Sequence, residues 1–243
     1  MAANQRAFAI IDSMAKADPQ NTTLQLDHAG GYSVIGIDLV ILGRYAEGQA
    51  MVRQAVQLYQ QVLAHDHADQ QSQHYIGTSE IWIGEALART GKPQAASEAY
   101  QKGIAMLTGV AGDIPNLRAE AATGHVRLGH ALGKMRRTEE AAASYRKALA
   151  IAEPMVTAKV ANTRALYAAA DAYFGLGELS RAAAATFPVG SASYKQRRTD
   201  ARDWYSKSAA AWSAIPNPAA VTPSGLPCGS PKALAQAVAQ VSP

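Results

Sequence analysis

GGYSVIGIDLVILGRYAEG, residues Gly30 to Gly48, is the stretch whose reading decides the fold. Five glycines in nineteen residues form either a loop that cradles phosphate or helix surfaces against which a second backbone lies close. The phosphate reading fails on spacing. A P-loop needs Gly-x4-Gly-Lys-Ser/Thr, whereas Gly84 to Gly91-Lys92-Pro93 has six residues between its glycines and ends in proline. No Gly-x-Gly-x-x-Gly occurs between Gly30 and Gly36, and neither His-Arg-Asp nor Asp-Phe-Gly follows. Gly31-Tyr32-Ser33-Val34-Ile35 lacks the final glycine of a nucleophile elbow.

Repetition favours the packing reading. Tyr32-x-x-Ile35-Gly36-x-x-Leu39 is followed by Gly43, Tyr45, Gly48, Val52 and Ala55. Ile83-Gly84-x-x-Leu87 leads to Gly91, Ala96, Tyr100 and Gly103. A third copy runs His125-x-x-Leu128-Gly129-x-x-Leu132, then Ala141, Tyr145 and Ala148. A divergent fourth aligns as Leu166-x-x-Ala169-Ala170-x-x-Tyr173, then Gly177, Ala201, Tyr205 and Ser208. Each copy holds two amphipathic stretches divided by a turn signal: GRY, GKP, KMRRT and GLGEL. Glycine inside a helix costs about 1 kcal/mol relative to alanine, so its recurrence at one register needs a shared packing cause. The expected cause is close approach of two helices, with Gly48, Ala96 and Ala141 opposite. Val52, Tyr100, Tyr145 and Tyr205 are expected to fill the space between neighbouring hairpins.

This set of residues resembles the tetratricopeptide repeat over roughly residues 25–214. The resemblance implies an all-α superhelical solenoid of about four antiparallel helix pairs. The spacings of 48, 45 and 41 residues between Gly36, Gly84, Gly129 and Ala170 exceed the 34 of the usual repeat, so long second helices are expected. The combination of DPQNT (18–22), LGRYAE (42–47), YRKALAI (145–151) and RDWYSKS (202–208) before a proline-rich tail is similar to the C-terminal repeat region of multidomain bacterial serine/threonine protein kinases. No kinase catalytic motif accompanies it, so no catalytic residue carries over.

Composition agrees with an ordered α protein: 48% hydrophobic, 17% charged, only 7% aromatic, and a net charge of +4. That charge is too small to argue for nucleic acid. One cysteine, Cys228, excludes an internal disulfide and sits in a tail without a basic partner. With no signal-peptide core and no apolar run able to span a bilayer, the reading is cytoplasmic, without a membrane.

Three regions are expected: 1–20, an orphan second helix with the stripe Phe8, Ile11 and Met14; 21–214, the repeat domain; and 215–243, a proline-rich tail ending in a short helix begun by Ser230-Pro231. The orphan helix suggests a longer parent or self-association. A loop over 178–191 is expected to interrupt the fourth pair.

His65-Asp66-His67-Ala68-Asp69, with His74, is the cluster with metal-ligand character. A solvated helix end explains it more simply, so no metal, cofactor or catalytic residue is assigned. The alternatives to a binding scaffold are a detached or truncated regulatory C-terminal region of a bacterial serine/threonine protein kinase and, a poorer fit, a small metal-dependent enzyme using the His65 cluster. Lys134, Arg136 and Arg137, and Lys195, Arg197, Arg198 and Arg202, are interleaved with Glu139, Glu140, Asp200 and Asp203 and read as solvated faces.

In tandem hairpins the first helices line the concave side. Counting from the aligned small residues places Ser33 and Ile37 there in repeat one, Ile81, Glu85 and Arg89 in repeat two, Val126, His130 and Lys134 in repeat three, and Tyr167, Asp171 and Phe174 in repeat four. A chaperone-type carboxylate clamp would need lysine and asparagine where Ser33 and Ile37 stand. The expected activity is non-catalytic capture of a protein or peptide in this groove.

Overall fold

The computed structural model describes residues 2–157, 162–216 and 230–241; the proline-rich stretch with Cys228 lies outside them. The described residues form ten α-helices and no strand, in two units, Met1–Gly112 and Asp113–Pro243. Unit one holds α1 (Ala2–Ala17), α2 (Thr22–Ile41), α3 (Tyr45–His65), α4 (Gln70–Arg89) and α5 (Pro93–Ala111). Unit two holds α6 (Pro115–Lys134), α7 (Thr138–Val156), α8 (Thr163–Ala184), α9 (Ala192–Ser213) and α10 (Pro231–Val241). The four hairpins are α2–α3 and α4–α5 in unit one, and α6–α7 and α8–α9 in unit two.

Helix starts follow local chemistry. Asn21, Asp69, Asn162 and Ser191 cap α2, α4, α8 and α9 by accepting bonds from backbone N–H groups, while Pro93 and Pro115 open α5 and α6. The first three hairpin turns share one geometry. Gly43 (φ 80°), Gly91 (φ 75°) and Arg136 (φ 59°) occupy the left-handed position, and the next residue's N–H bonds back to Leu39, Leu87 or Leu132.

Both helices of every hairpin are long, 19 to 22 residues, so the extra length is shared and not confined to the second helix. Seven residues, two helical turns, separate two crossing levels along each pair. One level pairs Gly36 with Gly48, where a Cβ on Gly48 would lie 2.6 Å from the Gly36 carbonyl oxygen. The other pairs Gly77 with Gly103, where a Cβ on Gly103 would lie 2.6 Å from the Gly77 carbonyl oxygen. Small buried residues recur at these levels in unit two: Ala122, Ala141, Ala148, Ala170, Ala201 and Ser208.

This geometry corrects the fourth repeat. The GLGEL segment is not a turn: α8 continues to Ala184, and only residues 185–191 connect it to α9. A Cβ on Gly177 would lie 2.4 Å from Cε1 of Tyr205, so Gly177 is the counterpart of Gly84 and Gly129. Ala170 belongs to the second crossing, where its carbonyl accepts a bond from Ser208 Oγ at 2.8 Å. The corrected spacing from Gly129 to Gly177 is 48 residues, matching that from Gly36 to Gly84.

Helix α1 packs on α2 with Phe8 of the expected stripe but not Met14, and with polar residues beside it. Phe8 lies over Gly31 between His28 and Tyr32, Asp12 Oδ1 meets His28 Nε2 at 3.0 Å, and Asn4 donates to Asp38 at 3.0 Å. Met14 is 49% exposed and faces away. Helix α10, opened by Ser230 and Pro231, seats Leu234, Ala237 and Val241 on Trp212 and Ile215.

Candidate functional site

In the last three hairpins the register glycine makes room for a ring, not for a backbone. A Cβ on Gly84 or Gly129 would lie 2.5 Å from Cε1 of Tyr100 or Tyr145. Each tyrosine therefore packs within its own hairpin, where the expectation placed it in the space between neighbouring hairpins. Tyr145 does both, since a Cβ on Gly175 of the next hairpin would lie 2.4 Å from its Cζ.

Each hydroxyl then finds the residue following its glycine. Tyr100 donates to Glu85 Oε2 at 3.3 Å, Tyr145 pairs with His130 Nδ1 at 2.8 Å, and Tyr205 donates to Glu178 Oε1 at 2.5 Å. Repeat one replaces both partners with apolar groups, Val52 and Ile37, so no buried donor is left without an acceptor. Burial raises the Glu178 carboxyl pKa, but bonds from Arg181 and Tyr205 outweigh it and the net shift is downward. Burial first, then the Glu178 bond, holds the Tyr205 hydroxyl protonated.

A lysine two residues beyond each tyrosine reaches across to the first helix. Lys102 pairs with Glu80, and Lys207 Nζ lies 5.8 Å from the Tyr173 ring centroid and 4.8 Å from that of Trp204. Lys147 faces His125, whose pKa is pushed down to about 4, first by burial and then by that lysine. The sequence carries the signal as YQK, YRK and YSK, and with it Glu178 and Tyr173, which the displaced fourth register missed.

These bonds sort the eleven expected groove residues. Ile81, Glu85, Val126, Asp171 and Phe174 are buried and unavailable to a partner as the fold stands. Glu85 also accepts from Arg89 Nε at 2.8 Å, so the exposed Arg89 neutralises a buried carboxylate. Ser33, half-buried, meets Ser79 Oγ at 3.4 Å; His130 holds Tyr145; and Tyr167 lies edge-on to Trp212 at 5.2 Å. Ile37 is half-buried and Lys134 exposed.

The histidine cluster is put to local use. His65 ends α3, Asp66 accepts from the Ala68 N–H at 3.0 Å, and Asp69 caps α4. Among the described residues no group of three metal-ligating side chains comes together. The basic clusters are also engaged: Arg137 makes two bonds of 2.7 Å to Glu140, Arg198 bonds Tyr194, and Arg202 reaches the Val241 carbonyl. No described helix is long and apolar enough to cross a membrane.

Residues 29–69 and 122–154 match family models of the tetratricopeptide repeat. No curated protein matches the sequence. Among solved structures, the chain is similar to BtubC (BKLC) from P. vanneervenii, at 15% identity and a TM-score of 0.57 over 99% of this chain and 87% of that one. It also aligns with MamA, at 18% identity and a TM-score of 0.48 over 86% of this chain and 89% of that one. The first of these shares the fold. The hairpins around Gly36 and Gly129 are thus tetratricopeptide repeats within an all-α helical-repeat protein.

Proposed function

We propose that this protein is a non-catalytic scaffold that binds a protein or peptide partner on the first-helix faces of its hairpins. The observation carrying this reading is how the buried polar groups are used. In three of the four hairpins a tyrosine hydroxyl and its partner, Glu85, His130 or Glu178, bond each other inside the hairpin, which spends these polar groups on a rigid support. A preformed helical face binds with little reorganisation cost. Ile37 in unit one and Lys134 in unit two are the contact residues least committed to the fold; Ser33, Arg89, His130 and Tyr167 flank them.

The test replaces one residue in each unit, Ile37→Lys with Lys134→Glu. Arg89 is left alone because its guanidinium compensates Glu85. The double variant should keep its helical circular dichroism and melting temperature while losing the protein captured by the parent from native lysate. Undiminished capture by a folded double variant removes this reading.

A further inference from the structure

A cleft of about 620 Å³ opens within unit two, on the second-helix side and separate from the faces proposed above. Helix α8 forms its floor through Leu176, Leu179 and Ala183, with α7 and α9 as walls. The cleft arises where the fourth hairpin departs from the others. Sixteen residues separate the register glycine from its partner in the first three hairpins, but 28 separate Gly177 from Tyr205. Part of that insertion extends α9 at its N-terminal end: Tyr205 is the fourteenth residue of α9, whereas Tyr145 is the eighth of α7. The added turns carry Arg197 into the wall. From Arg197 to Lys207 the wall runs ten residues, about 15 Å of helix.

The charges along it are ordered. With Tyr145 and Tyr205 as equivalent positions, Arg146 and Lys207 fall level at one end. Glu139 lies toward the other end, where Arg197 and Asp200 neutralise each other at 3.6 Å, and Asp203 stands between the ends, one turn from Lys207. Arg146, Lys207, Glu139 and Asp203 make no ion pair among the described residues. Ala142 and Trp204 contribute apolar wall between these ends.

We propose that this cleft docks a three-turn amphipathic helix of a protein partner, parallel to α7 and α9, with basic residues in its first turn and acidic residues in its last. Three framing helices and an apolar floor fit a cylinder laid lengthwise. The charge order fixes its direction: the positive end of the helix dipole meets Glu139, and the negative end, two turns on, meets Arg146 and Lys207.

The probes are two labelled twelve-residue peptides sharing one apolar stripe at i, i+3, i+4 and i+7, read by fluorescence anisotropy against the full chain at low salt. One carries lysines first and glutamates last; the other reverses them. The reversed peptide is the better isolated helix, because its charges complement its own dipole, so intrinsic helicity opposes the expected result. The lysine-first peptide should bind at least tenfold more tightly, and Arg146→Glu with Lys207→Glu should abolish or invert that preference in a chain of unchanged melting temperature. Equal binding of the two peptides, or binding of neither, overturns the proposal. Concentration-dependent dimerisation that the same double variant abolishes also overturns it, in favour of a second copy of this chain as the occupant.

Discussion

Arg136 shows how one position departs from its repeats without changing the backbone. It stands at φ 59°, where Gly43 and Gly91 stand in the preceding hairpins, seven residues after the register glycine in all three. A side chain in this conformation costs roughly 1–2 kcal/mol that glycine avoids. Arg136→Gly should therefore raise the unfolding free energy, by about 0.5–1 kcal/mol after glycine's larger unfolded-state entropy is subtracted. Urea titration checks this, and a variant equal to or weaker than the parent contradicts it. The sequence gives the turn itself away, but the turn geometry appears only when Arg136 is superposed on the glycines.

At the scale of elements, α1 is held by a few specific contacts rather than by a broad apolar face. Phe8 fills the space that a side chain on residue 31 would occupy: a Cβ on Gly31 would lie 2.4 Å from its Cδ2. Gly31→Ala should displace Phe8 and loosen the Asp12–His28 contact, costing about 1–3 kcal/mol of α1 docking. Amide hydrogen exchange should rise in residues 2–17 while α2 and α3 keep their protection. Equal protection of α1 in variant and parent would show that Phe8 can move aside at little cost. The apolar stripe of α1 was legible by helical spacing; which side of it meets α2 was not, because Asn4 and Asp12 contribute as much to the docking side as the apolar residues do.

Across the molecule, stability in a repeat protein is carried by hairpins and the interfaces between neighbours. Tyr145 takes part in both terms through Gly129 and Gly175, whereas the close glycine contact of Tyr100 is with Gly84 alone. Tyr145→Ala should cost about 3–5 kcal/mol and raise hydrogen exchange in both α6–α7 and α8–α9. Tyr100→Ala should raise it in α4–α5 and leave unit two unaffected. Protection of α8–α9 unchanged by Tyr145→Ala would reduce that residue's role to its own hairpin.

Periodicity in the sequence determined the helical hairpins, their glycine register and the tyrosines that recur with it, because small residues at fixed spacing mark where helices cross. It did not fix the fourth register. Two crossings seven residues apart look alike as strings of small residues, and only the ring of Tyr205 against Gly177 distinguishes them. Nor did it separate binding residues from supporting ones. Glu85 and His130 have the residue types of a recognition surface, but the tertiary fold brings a tyrosine hydroxyl to each and commits them to the hairpin. Spacing along one helix tells which way a side chain points, whereas its availability depends on what the neighbouring helix places opposite it.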